Sequence, residues 1–111
     1  IITVFGCGGD RDIKKRPIMA KIAEKYSDKI IVTSDNPRNE KVEDICENIK
    51  SGFDRNNHKI IYNRKKAIDY AIEKMNKNSI LLILGKGRND YEHIGNEKYP
   101  HSDIGIIKSN I

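Results

Sequence analysis

An aspartate, an asparagine and an arginine meet in the run Ser34-Asp35-Asn36-Pro37-Arg38, and a second arginine, Arg11, follows the glycine-rich stretch Gly6-Cys7-Gly8-Gly9. Two guanidiniums at one edge of a fold favour a carboxylate or a phosphate, because each presents a planar fork of N–H donors that matches a pair of oxygens. A third cluster, Gly85-Lys86-Gly87-Arg88-Asn89, adds cations and a side-chain amide. The chemistry suggested is recognition of a small anionic molecule. Each group also has an ordinary explanation by itself, since Asn and Pro start turns and arginines are often solvated.

The elements that carry these residues decide whether they meet. Ile1 to Phe5 is apolar and β-branched and runs into the Gly6 to Gly9 turn, which reads as a buried strand. Arg16-Pro17 suits a helix start, and Ile18, Met19, Ile22, Ala23 and Tyr26 then form one apolar stripe of an amphipathic helix. Lys29 to Thr33 is a second strand. After the Asp-Asn-Pro-Arg turn, Asn39 is expected to cap a helix with Glu40 in its first turn and Val42, Ile45, Cys46, Ile49 and Phe53 on its core face.

A third unit repeats the second, with a strand over Lys59 to Tyr62 and a helix capped by Asn63 that carries Ile68, Ala71, Ile72 and Met75. Ile80 to Leu84 is apolar at five successive positions, the pattern of a central parallel strand buried on both faces. The period then changes. Tyr91 to Tyr99 reads as a hairpin turning at Gly95-Asn96, and Ser102 and Asp103 are candidate caps for a last short helix. The fold class predicted is α/β, a Rossmann-like, doubly wound and mostly parallel sheet with a C-terminal hairpin, in a single domain.

In such a sheet the loops after strands 1, 2 and 4 leave one edge, where α/β folds hold their ligands. Arg11, Lys14, Lys15, Arg16, Asn36, Arg38, Lys86, Arg88 and Asn89 are therefore expected to converge on one crevice.

Bulk composition narrows the ligand. The chain has 111 residues, enough for one domain with a real core and too few for two. Its formal charge is +5, but the acidic residues are interspersed with the basic ones and aromatics make up only 6%, so no basic stripe with stacking residues emerges for nucleic acid. No apolar run approaches the roughly 20 residues that cross a bilayer. Cys7 and Cys46 show no metal-ligand spacing, and reduced thiols without a secretory signal point to the cytoplasm. The chain starts inside an apparent strand without an initiator methionine and is expected to be a piece of something longer.

Gly6-Cys7-Gly8-Gly9 lacks the G-x-G-x-x-G spacing of a dinucleotide fingerprint, and Gly85-Lys86-Gly87 is too short for a P-loop. His58, His93 and His101 have neither zinc-site spacing nor a paired nucleophile, and surface or hairpin positions are expected for them.

Gly6-Cys7-Gly8-Gly9-Asp10-Arg11-Asp12, Lys15-Arg16-Pro17, Thr33-Ser34-Asp35-Asn36-Pro37-Arg38 and Gly85-Lys86-Gly87 with Asp90-Tyr91 resemble, in order and spacing, the carboxy-terminal domain of a Mur ligase. The resemblance covers nearly the whole chain. It implies an ATP-dependent amide ligase that adds a diamino diacid, meso-diaminopimelate or an analogue such as lanthionine, to UDP-MurNAc-Ala-Glu in peptidoglycan precursor synthesis. ATP phosphorylates the glutamate γ-carboxyl and the amino group attacks the acyl phosphate. In that family this domain is a Rossmann-like lid that brings the amino acid. ATP and Mg2+ are held mainly by upstream parts, so residues 1–111 alone are expected to be inactive.

Carried over residue by residue, the resemblance implies that Arg11 and Arg38 grip the distal carboxylate, with Asn36 bonding the same end, Asp35 and Pro37 shaping the turn, and Gly85 offering its carbonyl. Lysine has no second carboxylate for two arginines, so the pair discriminates by charge. Where diaminopimelate enzymes usually read Gly-Lys-Gly-His-Glu, this chain has Arg88-Asn89 at the end, and the acceptor glutamate is an amide. Asp90 or Glu92 is a candidate source of the lost charge. Ile13-Lys14 replaces a small, glycine-containing pair and reads as a surface change. The alternative from another class is a non-catalytic amino-acid-binding or assembly module with the same fold.

Overall fold

The β-branched runs pair as parallel neighbours in the computed structural model, which describes residues 1–111. Strands β1 (Ile2–Phe5), β2 (Lys29–Val32), β3 (His58–Ile60) and β4 (Leu81–Ile83) form a four-stranded sheet in the order β3-β2-β1-β4. Val4 lies opposite Ile31 on one side and Ile83 on the other. Between them run α1 (Lys15–Tyr26), α2 (Val42–Lys50) and α3 (Arg64–Glu73). A two-stranded antiparallel hairpin, β5 (Tyr91–Ile94) and β6 (Glu97–Pro100), precedes α4 (Asp103–Ser109). The doubly wound α/β class with a C-terminal hairpin is thus what the chain adopts.

Two apolar layers flank the sheet. Phe5, Ile30 and Val32 pack with Ala20, Ile45, Cys46 and Ile49 of α1 and α2. Ile2, Val4 and Ile31 pack with Ala67, Ile68 and Ala71 of α3 and with Ile106 of α4. Alternate residues of each strand point to opposite faces, so both layers draw on the same strands.

Two core expectations are corrected. Ile80 to Leu84 does not form a central strand: β4 is the edge of the sheet, with Leu82 and Leu84 exposed. The stripe Ile18, Met19, Ile22 and Tyr26 on α1 is exposed as well, and the helix buries Arg16, Ala20 and Glu24 instead. These corrections share one cause. No element of residues 1–111 lies beyond β4, because the chain turns there into the hairpin. Two apolar grooves remain open, one of about 350 Å3 between Met19, Ile22, Tyr26 and Leu82, the other of about 560 Å3 between Ile72, Met75, Leu81 and Ile107.

Caps divide similarly. Asn63 caps α3 by accepting from the Lys66 N–H, and Ser102 caps α4 by accepting from Gly105. Asn39 does not cap α2, whose N-cap is Lys41; its amide donates to Asp10 at 3.0 Å. Glu40 and Phe53 lie outside α2, Glu40 facing Arg16 and Phe53 packing on the α2 layer. Asp103 is the first residue of α4 rather than a cap, and pairs with Arg64.

Candidate functional site

The loops after β1 and β2 touch through backbone. The Gly9 N–H donates to the Asn36 carbonyl at 2.9 Å, and a Cβ at Gly9 would run into the Pro37 carbonyl, so only glycine permits this approach. A Cβ at Gly8 would fall 2.8 Å from Arg38 Nη1 and 3.3 Å from Arg11 Cγ. Arg11 and Arg38 therefore flank the same residue, 27 positions apart in the chain, but of the two only Arg11 lines the crevice at this edge, and Asn36 lies outside its lining as well.

The Asp35-Asn36-Pro37-Arg38 turn is strained and clamped. Asn36 and Arg38 have φ of 48° and 52°, in the left-handed region that asparagine tolerates and arginine rarely enters. The hairpin holds them there: the Arg38 N–H donates to the His93 carbonyl at 2.9 Å, and Gly95 N–H donates to the Arg38 carbonyl at 2.5 Å. Ser34 Oγ donates to Glu92 Oε2 at 2.5 Å. Such strain persists where the surroundings over-determine the backbone. Glu92 is thereby engaged at Ser34, in a separate depression with Arg64, Lys65 and His101.

A cavity of about 450 Å3 opens at this edge, lined by Cys7, Gly8, Arg11, Lys15, Asp35 and Gly85 among others. Arg11 and Lys15 line it together with the Asp12 and Asp35 carboxylates, so a ligand there meets both signs of charge. Gly85 has φ +111°, and a Cβ there would collide with Asp35 Oδ2. Arg38 lies behind Gly8, its Nη1 donating to the carbonyls of Gly9 at 3.1 Å and Asn36 at 3.3 Å. Pro37 is buried under Gly9. Asn89 is exposed and does not line the cavity, its N–H donating to the Lys86 carbonyl at 2.9 Å.

Not every cation expected in the crevice is available to a ligand. Arg16 is buried and forks the Glu40 carboxylate, with further bonds to Asn48 and to the Gly8 carbonyl. Lys86 has no exposed side-chain surface and faces Asn36 and Asp35. Lys14, Arg88 and Asn89 are exposed outside the cavity. Burial decides this, because a desolvated ammonium or guanidinium must find its acceptors inside the protein.

The Arg64–Asp103 pair was not foreseen. Arg64 Nε and Nη2 donate to the two Asp103 oxygens at 2.9 and 2.8 Å, while Nη1 and Nη2 also hold the Ser34 and Leu84 carbonyls. It thus ties the ends of β2 and β4 to α4. One signal existed: a cation at the first position of a helix opposes the helix dipole, so something else must require it. Burial pushes the Asp103 carboxyl up, but the bonds from Arg64 and His101 outweigh it and leave it below the usual range. The bond from Arg16, helped by the Asp10 N–H, likewise lowers Glu40. Burial pushes the Cys7 thiol up to about 11, against the opposing charge of Arg16.

The glycine loop does not fit a polyphosphate. Its Gly9 N–H is committed to Asn36, its Asp10 N–H donates to Glu40 Oε1 at 2.7 Å, and the Glu40 carboxylate stands where a phosphate would need donors.

A parallel sheet wound on both faces, with its polar crevice outside the carboxyl ends of the strands, defines a Rossmann-like α/β protein. Residues 1–87 match the family model described as Mur ligase, glutamate ligase domain, and the chain belongs to this family. It is 50% identical over 109 residues to the UDP-N-acetylmuramoyl-L-alanyl-D-glutamate-2,6-diaminopimelate ligase of Aquifex aeolicus, covering 97% of this chain and 23% of that protein. The ligase of the same name from Fusobacterium nucleatum is 50% identical over 112 residues, covering 100% and 23%. A solved structure of a 2,6-diaminopimelate ligase superposes with a TM-score of 0.92 at 37% identity, over 97% of this chain and 23% of that one. The chain spans about a quarter of the length of the relatives it matches.

Proposed function

We propose that residues 1–111 are the amino-acid-receiving part of an ATP-dependent amide ligase. In the whole enzyme it adds a diamino diacid, meso-diaminopimelate or a thioether analogue such as lanthionine, to UDP-MurNAc-Ala-Glu in the cytoplasm. The observation that carries this reading is that Gly8, Arg11, Asp35 and Gly85 line one crevice while Arg38 lies against Gly8. The names of the relatives, diaminopimelate ligases, support it.

On this reading Arg11, Arg38 and Asn36 bind the distal carboxylate, and Asp35 with the Gly85 carbonyl faces the distal ammonium. The other end of the amino acid then points out of the crevice towards the activated glutamate. Asn89, outside the crevice, contributes at most one neutral acceptor. The glycine loop offers no cradle for ATP, so ATP and Mg2+ belong to parts of the enzyme outside these residues. Binding and orientation of the incoming amine are what this chain supplies.

The test is a ligation assay of the full-length enzyme with meso-diaminopimelate, lanthionine and lysine. A diacid is expected to be preferred; preference for lysine overturns the reading.

A further inference from the structure

The side-chain oxygen of Asn36 has no capacity left for a ligand. Oδ1 accepts from Lys86 Nζ at 2.8 Å and from the His93 N–H at 2.8 Å. An ammonium and a backbone N–H are both obligate donors, so the amide can face them only with its oxygen. Nδ2 therefore points the other way, and it is neither bonded within the chain nor buried. The ammonium of Lys86 is itself fixed. Its side chain has no exposed surface, and beyond Asn36 it meets the Tyr91 carbonyl at 3.2 Å and Asp35 Oδ1 at 3.4 Å. Those are as many acceptors as it has protons.

We infer that Lys86 is a positioning residue which, together with the His93 N–H of the hairpin, locks Asn36 as a donor only. The inference rests on the diacid reading and deepens it. The ligand group opposite Asn36 must be an acceptor, a carboxylate rather than an ammonium. Specificity at the distal end then depends on a buried lysine that never touches the amino acid. The left-handed backbone at Asn36 and the hairpin contacts at Arg38 keep the amide within reach of both donors.

The experiment uses the full-length enzyme with Lys86→Met, Asn36→Ala and Asn36→Asp, titrating meso-diaminopimelate and lysine separately. Methionine keeps the length of the lysine and removes its charge and donors. It is expected to raise KM for diaminopimelate about tenfold, as loss of a charge-assisted bond implies, and to narrow the preference over lysine. KM for ATP and for the UDP-linked dipeptide should hold. An unchanged KM for diaminopimelate, or an equal rise in every KM together with a lower Tm, overturns the inference.

Asn36→Asp decides the matter even where Lys86→Met does not fold. The aspartate accepts from the same two donors but sets an anionic oxygen where Nδ2 stood, so it should bind the diacid more weakly than Asn36→Ala does. An aspartate variant that binds its amino acid as tightly as the wild type overturns the inference, whichever amino acid that is. Preference of the wild type for lysine instead overturns the diacid reading, which separates the two failures.

Discussion

The guanidinium of Arg16 forks the carboxylate of Glu40, Nη1 to Oε2 at 3.0 Å and Nη2 to Oε1 at 2.9 Å. This one contact joins the first turn of α1 to the segment between the Asp-Asn-Pro-Arg turn and α2. Glu40 also accepts from the Asp10 N–H, so the loop carrying Arg11 is anchored through it.

Glu40→Ala should destabilise the chain by about 3 kcal/mol. Arg16 is 1% exposed, and removing one partner of a buried pair leaves an uncompensated charge; Glu40, at 26%, keeps the effect near the low end of the range for buried pairs. Glu40→Gln should lose less, because an amide still accepts from Arg16. Urea midpoints of the two variants check this, and equal stability of Glu40→Ala and wild type would remove the anchor from the account.

Replacing Arg11 or Arg38 by alanine should raise KM for the diamino diacid by roughly tenfold to a hundredfold, the range for losing a charge-assisted bond. KM for ATP should stay put. Arg38→Ala is expected to be the more severe, because Arg38 Nη1 also holds the Gly9 and Asn36 carbonyls. Steady-state kinetics of the full-length enzyme decide; a larger change for ATP than for the amino acid would contradict the assigned role.

Acid should unfold the protein through Asp103 among others. Its folded carboxyl lies below the ordinary value near 3.9, so the unfolded state binds the proton more readily. The resulting stability is present above about pH 4 and is lost as the pH falls through the lowered value. Glu40 and Asp69 are lowered by their own bonds and share this limb. Asp103→Asn should flatten the acid limb of a plot of stability against pH without abolishing it, and should reduce stability at pH 7. An unaltered slope below pH 4 would exclude Asp103 as a contributor.

Both thiols should react slowly with iodoacetamide at pH 8. Burial pushes Cys7 up to about 11 and Cys46 up to about 12, and the thiolate is the reactive form. Mass spectrometry under native conditions should find both unmodified while a model thiol is fully alkylated; rapid labelling of Cys7 would contradict its raised pKa.

Much of the fold is legible because local periodicity reports it. Five apolar residues at Ile80 to Leu84 do make a strand, and Val42, Ile45, Cys46 and Ile49 do make the face of α2. The position of β4 is not legible, since an apolar run reads the same at the centre of a sheet and at an edge whose faces are uncovered. Nor is the stripe of α1: its spacing predicts a helix, while its exposure depends on what lies beyond β4.

At the site, the sequence by itself determined the glycine-rich turn after β1, the Asp-Asn-Pro-Arg turn after β2, and the edge of the sheet to which the loops carrying Arg11 and Arg38 are brought. These follow from local sterics and from the alternation of strands and helices. Tertiary structure alone decided which cations face solvent. Arg16, Lys86 and Arg64 look in sequence like Arg11, yet each is desolvated against acceptors 24 to 50 residues away, and that distant pairing turns a surface charge into an internal strut.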